Sequence, residues 1–367
     1  MSAYCLFDVR AITHPKKVEE YRSRVAATVA QYGGSYRVLG GKFDVVEGDW
    51  RPGFLVMVEF ANREQAHRWY DSPEYRPLKS LRLAGTQSNG LVIEGCEPPK
   101  TPAEVYEGLF VPALFQQWGS VVSEAAGVKA GDRVLDVACG TGVLAMAVAE
   151  RVGPDGKVAG LDPSGDMLGV ARRKSDRIEW REGRAEAIPF PDESFDAVVS
   201  QFGFMFFEDR VAALREMMRV LRPGGRLAVA VCDSLDRSPG YAALAGLLQR
   251  LFGERIANAF RAPFALGDQE RLLSLCAEAG IAGAKVAQHQ GTVRFAAIEA
   301  MISTERACVM TLGGLLDDAQ FERLLAESEQ ALRPFAGADG KVAFDMPALI
   351  VTAARSKDGA AALRAAR

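Results

Sequence analysis

The sequence predicts an α/β chain in two parts, a small α+β unit of roughly a hundred residues followed by a doubly wound α/β domain. Three observations carry this reading. From residue 133 onward, strand-like apolar runs alternate with amphipathic stretches, the pattern of a mostly parallel sheet covered on both faces. The first hundred residues instead read strand, helix, strand, strand, helix, strand. Between them, CEPPKTP from Cys96 to Pro102 carries Pro98, Pro99 and Pro102, which break both periodicities. The predicted division is 1–96, a linker 97–102, a domain 103–355 and a frayed tail 356–367.

Composition narrows the function classes. Hydrophobic residues make up 49% of the 367 and charged residues 25%, ordinary for a globular protein with a full core. A net charge of -3 gives no basic footprint for a phosphate backbone, so no nucleic-acid partner is expected. The six cysteines are scattered without a C-x-x-C pair, so neither a zinc site nor a disulfide framework is expected, and reduced cytoplasmic thiols fit. No basic leader with an apolar core opens the chain, and no apolar run reaches the roughly 18 residues of a membrane span.

In the first unit, alternation predicts a strand from Tyr4 to Arg10, and Val18, Tyr21, Val25 and Val29 predict a helix over 15–31 that stops at Gly33-Gly34. A second strand is expected over 36–47 with a bulge at Gly40-Gly41, and a third along Phe54 to Phe60. A helix over 63–70 and a strand over 90–94 complete a ferredoxin-like βαββαβ pattern. Both helices then share one sheet face, leaving the other to be covered by a second copy, as a homodimer, or by the rest of the chain. His14, His67 and Trp69 are candidates for a pocket, or for ordinary surface and core. The residues Tyr21, Gly33-Gly34, Gly40-Gly41, Glu47-Gly48, Glu59-Phe60 and above all WYDSPEYRPL from Trp69 to Leu78 resemble a family of small domains of unknown function in the dimeric α/β-barrel superfamily. That resemblance implies fold and association.

The second unit opens with a helical stretch over 103–126, then RVLDVACGTGVLA from Arg133 to Ala145 reads as strand, glycine turn and helix. Gly140, Gly142 and Ala145 fit the dinucleotide pattern G-x-G-x-x-G/A, a weak signal by itself. Asp136 argues against a phosphate ligand at that turn, because its carboxylate would repel a pyrophosphate. S-adenosylmethionine brings an ammonium and a sulfonium instead, which Asp136 suits. Asp162 ends the next strand, placed to accept hydrogen bonds from ribose hydroxyls. Met167 is positioned to pack on adenine or to serve as helix core. Further strands are expected over 178–182, 195–200 and 227–232, with helices over 167–173 and 211–221.

Four motifs in order now carry a second resemblance: VLDVACGTG from Val134, GLDPSGDML from Gly160, AEAIPFPDESFDAVVS from Ala185 and LRPGG from Leu221. Residues 103–355 resemble the class I S-adenosylmethionine-dependent methyltransferases, in particular the ubiquinone and menaquinone biosynthesis branch. The resemblance implies a Rossmann-like seven-stranded sheet whose last strand, about 342–353, runs antiparallel. It implies cofactor contacts at Asp136, Gly140, Gly142, Asp162, Met167, Ala185, Glu186 and Gln201, with S-adenosyl-L-homocysteine as the product of S-adenosyl-L-methionine. Two departures stand out. Ala138 replaces a common glycine, and Arg184 replaces an aspartate that accepts a bond from adenine, a role that arginine, lacking an acceptor, leaves to a backbone carbonyl or Glu186.

Methyl transfer depends chiefly on alignment, so a catalytic base is optional. Asp233, after the fifth strand, and His289, in AKVAQHQGTVRF, are the candidates. QFGFMFF from Gln201 to Phe207, with Phe202 and Phe204, lines an acceptor pocket or packs beneath it, and Tyr106, Phe110, Phe115 and Trp118 lie on the helix expected to close over the cofactor. The helical insertion over 296–334 is expected to be a lid that sets substrate choice. The acceptor would be small and aromatic or quinone-like. A nicotinamide-dependent oxidoreductase and a non-catalytic ligand-binding protein are the alternatives.

Overall fold

Ala3, Cys5 and Phe7 are buried while their neighbours Tyr4 and Leu6 are half-exposed, so strand β1 (Ala3–Ile12) commits one face to a core. The structure, a computed structural model, describes residues 1–96, 100–308 and 311–357, in two units, Met1–Pro99 and Lys100–Arg367. The expected linker residues 97–99 and the tail from 358 lie outside the described residues.

In the first unit, β1 joins β2 (Ser35–Leu39), β3 (Phe54–Phe60) and β4 (Thr86–Glu94) in an antiparallel sheet of order β2-β3-β1-β4. Three helices, Pro15–Gln31, Arg63–Tyr70 and Arg76–Gly85, accompany it, one more than the sequence pattern predicts. The extra helix starts afresh with Pro77 in its first turn, where a missing N–H is harmless. Trp69 stacks on Tyr75 at 4.2 Å between ring centroids, and both are fully buried with Leu78. The WYDSPEYRPL stretch is therefore the centre of this core. Trp69 belongs to it while His14 and His67 are exposed, so the three do not share a pocket.

The second strand is shorter than expected. β2 ends at Leu39, its register slips between Tyr36 and Val38 rather than at Gly40-Gly41, and Gly40 turns out of the strand at φ +64°. The loop that follows returns to the sheet through Asp8, whose carboxylate accepts hydrogen bonds from Trp50 Nε1 at 3.1 Å and from the Gly53 amide at 2.9 Å. On this same sheet face Leu6 pairs with Met57 on one side and Leu91 on the other, with no helix of the unit over them. Leu91 and Ile93 are 51% and 44% exposed.

The second unit has a seven-stranded sheet of order β10-β13-β9-β8-β5-β6-β7. Its strands are β5 (Arg133–Val137), β6 (Lys157–Asp162), β7 (Glu179–Glu182), β8 (Phe195–Gln201), β9 (Leu221–Cys232), β10 (Lys285–His289) and β13 (Ala348–Ala354). The first five run parallel, and β13 is antiparallel to both β9 and β10. Val134 to Val137 and Leu227 to Cys232 are buried without alternation, as a sheet covered on both faces requires. Strand order reverses between β5 and β8, which opens the crevice beyond their carboxyl ends.

Two expected elements are split. The strand expected over 342–353 is broken at Pro347, which has no N–H to give a ladder, into β12 (Val342–Asp345) and β13. β12 pairs instead with β11 (Thr292–Phe295) in a separate ribbon, and the insertion stands between these two as helices Ile298–Ala307 and Asp318–Leu332. The helix expected over 103–126 becomes Pro102–Val105, a π-helical segment Tyr106–Phe115 and Trp118–Ala125. Pro112 inside the middle segment cannot donate to a regular ladder.

Candidate functional site

The site is built on the turn after β5. Gly142 adopts φ +85°, and a Cβ there would come within 2.4 Å of the Trp180 ring; one at Gly160 on β6 would meet the same ring at 2.5 Å. These glycines let Trp180 close the side of the turn while the helix Val143–Val152 starts directly behind it. Ala138 sits at φ +58° and its methyl presses on Gly203, where an added Cβ would lie 2.5 Å away. A left-handed alanine costs about 1–2 kcal/mol, offset in part by its lower unfolded-state entropy. Ala138→Gly is therefore expected to stabilise the unit by roughly 0.5–1 kcal/mol, or about 1–4 °C in a thermal melt, and an unchanged or lower melting temperature would refute the strain.

Asp162 and the turn are joined directly. Its Oδ2 accepts from the Gly140 amide at 2.8 Å and its Oδ1 from the Ser164 amide at 2.9 Å. Burial raises its pKa although both amides oppose the rise. Each oxygen keeps a lone pair for a further donor. Asp136 is fully buried, and neither of its oxygens has a hydrogen-bond partner among the described residues. Burial pushes its pKa well above the usual carboxylate range, the Ala145 amide, which faces the carboxylate without closing a hydrogen bond, pulls it down, and Asp162 adds to the rise. An orphaned buried carboxylate is rare enough to call for a ligand.

The remaining expected cofactor residues divide. Met167 lies on the helix Gly165–Lys174 and faces an apolar cavity. Gln201 donates to the Phe115 carbonyl at 3.1 Å and leaves its buried Oε1 without a partner. Ala185 is buried, but Glu186 is engaged elsewhere: it accepts from the Glu208 amide at 3.0 Å and pairs with Arg184 at 3.5 Å. Arg184 also reaches Glu208 at 2.8 Å, so the residue that departs from the family pattern is turned to a surface ion pair.

The cavity, about 130 Å³, lies beyond the strand ends with Tyr106, Phe110 and Phe202 among its aromatic walls. Tyr106 also overhangs the turn, 4.0 Å from where a Cβ on Gly140 would stand. Phe115 stacks on Tyr106 at 5.5 Å, and Trp118 meets Phe202 edge-on at 5.6 Å. Phe204 is packed beneath against Phe207 at 5.6 Å and does not line the cavity.

Neither candidate base lines it. His289 ends β10, at the sheet edge. Asp233 accepts hydrogen bonds from Gln288 and from the Ser234 amide and lies 3.7 Å from Arg237. The groups that do reach the cavity were not singled out from the sequence: Glu305, Tyr241 and Thr311. Glu305 is 2% exposed and accepts from Thr311 Oγ1 at 3.0 Å. Burial raises its pKa to about 7, with Tyr241 and Thr311 opposing. A signal for it exists, because Ile298, Met301, Ile302 and Glu305 form one buried helical stripe, and an acid at such a position demands a reason.

No trio of His, Cys, Asp or Glu among the described residues is arranged to hold a metal, and no described helix is long and apolar enough to cross a membrane. Residues 109–252 match the ubiE/COQ5 methyltransferase family, and residues 2–96 match a domain of unknown function, DUF1330. The chain is 43% identical over 132 residues to the ubiquinone/menaquinone biosynthesis C-methyltransferase UbiE of Hahella chejuensis, covering 34% of this chain and 53% of that one. It is 34% identical over 194 residues to the demethylmenaquinone methyltransferase of Listeria monocytogenes, covering 48% and 81%. It thus spans about half the length of the first of these relatives and most of the second. Among solved structures, the YcgJ protein of Bacillus subtilis overlaps 65% of this chain and 98% of its own at 18% identity, with a TM-score of 0.45.

Proposed function

The chain belongs to the ubiE/COQ5 methyltransferase family, and on that premise we propose that it moves a methyl group from S-adenosylmethionine to a small quinone-like or aromatic acceptor. The observation that carries this is Asp136, a buried carboxylate without a partner beside an Asp162 already oriented by two amides. When bound, the donor supplies a methyl group on a positively charged sulfur that departs as a neutral thioether. Asp136 would meet the ammonium, Asp162 the ribose hydroxyls, and Met167 the adenine. Tyr106 covers the turn and excludes water.

Tyr106, Phe110 and Phe202 hold the flat acceptor. Glu305 takes a proton from its hydroxyl, which raises electron density on the oxygen and on the ring carbons beside it. Because Glu305 and Thr311 come from the insertion and the segment after its first helix, we assign the insertion the role of a lid that selects the acceptor. Asp233 and His289 act away from the chemistry, as supports of the sheet edge. The scattered cysteines suit a cytoplasmic setting. Incubation with methyl-labelled donor and a panel of demethylated naphthoquinols, benzoquinols and simple phenols tests the proposal. Label should pass to a quinol, and transfer to none of them would overturn it.

We further propose that the ferredoxin-like first unit pairs two copies through its open sheet face. Leu6, Met57 and Leu91 lie together on that face, and an apolar surface of this kind is usually covered. Leu91→Glu should convert a dimer to a monomer by light scattering, whereas an unchanged mass would exclude this face.

A further inference from the structure

The first unit contains a second cavity, larger than the first, about 430 Å³, between the helix Pro15–Gln31 and the sheet. Phe7, Val9, Val25 and Val56 supply its apolar walls. Its polar lining is unbalanced: Tyr21, Tyr36, Arg22, Arg82 and Thr86 reach it, and no aspartate or glutamate does.

Arg82 is the unusual member. It is 4% exposed. Its Nε donates to Tyr75 Oη at 3.2 Å, its Nη1 donates to Ser88 Oγ at 3.0 Å, and its guanidinium stands 4.7 Å from the Phe7 ring centroid. Those two acceptors satisfy two of the five N–H donors a guanidinium carries. Among the described residues Arg82 has no ion-pair partner, although 20 ion pairs occur elsewhere. A buried charge left without a counter-charge is costly, and a planar guanidinium is shaped to take a carboxylate in two parallel hydrogen bonds. Burial raises the Tyr36 hydroxyl to about 12, which keeps it a proton donor at neutral pH.

We propose that this cavity binds a small organic acid, its carboxylate on Arg82 and its aromatic or aliphatic body against Phe7, Val25 and Val56. A monoanion balances the single buried cation, whereas a doubly charged phosphate ester would leave an excess charge in the apolar cavity. The volume, within the usual range for small-molecule sites, suits a body of one ring with a short chain. Arg22, at 5.4 Å from the Phe54 ring, adds a second cation to the lining and is itself exposed. The site is separate from the methyl-donor turn and does not depend on the proposed transferase activity.

Titration calorimetry on the full chain with 3-phenylpropanoate and its neutral amide, 3-phenylpropanamide, tests the assignment. The acid should bind at least tenfold more tightly than the amide. Ala26→Trp, which starts from an exposed cavity-lining alanine, and Leu39→Trp, at a second exposed lining position, should each weaken the acid at least tenfold while leaving affinity for S-adenosylhomocysteine unchanged. Arg82→Gln should bring the acid down to the affinity of the amide. Ring resonances of Tyr21 and Tyr36 should shift on adding the acid to the unaltered protein, which keeps the test decisive if a variant folds poorly. No binding by the acid, equal binding of acid and amide, or full binding by both tryptophan variants would overturn the proposal.

Discussion

Asp136→Asn is expected to make the unliganded protein more stable and nearly unable to hold its methyl donor. Its buried oxygens have no partner, so the ionised side chain opposes folding until a cation arrives. The native pKa lies above the unfolded one. Stability from this group is therefore full below about pH 4, the ordinary aspartate range, and is lost as pH rises toward the native value. Asparagine removes that loss, so the gain in melting temperature should grow from acid to neutral pH. Losing one partner of a buried charge pair costs about 2–5 kcal/mol, roughly a 30- to 5,000-fold loss of donor affinity. Calorimetric titration with S-adenosylhomocysteine, paired with thermal melts at several pH values, reads both effects. Affinity within threefold of the unaltered protein would remove Asp136 from the site.

Glu305→Gln should lower kcat by about 10²- to 10⁴-fold at pH 8, the usual contribution of a general base, with donor affinity little changed. The carboxylate is the active form, and burial places its pKa at about 7. Activity of the unaltered enzyme should therefore climb with pH through that value, while the glutamine variant should show no such rise. The same raised pKa means that Glu305 disfavours the fold increasingly as pH rises from its unfolded value, about 4.3, through about 7, so the variant should also melt higher at alkaline pH. A variant with undiminished kcat and an unaltered pH profile would exclude the role.

The methyl-donor turn was legible because its residues are close in sequence and chemically marked. Asp136, Gly140 and Gly142 occupy one strand-turn unit, and Asp162 ends the very next strand, whose carboxylate then accepts the Gly140 amide. Arg184 was legible as an anomaly, but its escape to Glu208 depends on the start of a distant helix. Cavity chemistry was hidden for a similar reason. Tyr241 and Glu305 come from two helices far apart in sequence and Thr311 from the turn after the second, and only the folded chain brings them to Phe202. Asp233 had the right position at a strand end, yet Gln288 on the edge strand β10, two strands away in the sheet, claims its carboxylate. Strand limits failed where single residues act locally, at Gly40 and at Pro347. Buried charges on otherwise apolar stripes, Glu305 after Ile302 and Arg82 after Leu78, were the unused signal in both units.

The ten π-helical residues from Tyr106 to Phe115 make the cover over the donor turn a question of residue count. A π turn holds extra length relative to an α turn, so deleting a single residue between Phe110 and Phe115 would change the number of residues that span the cover. Each residue carries the chain around the helix axis, so what precedes the deletion would face a new direction. Tyr106 would swing away from Gly140, and the turn would lose its roof without the loss of any residue that touches it.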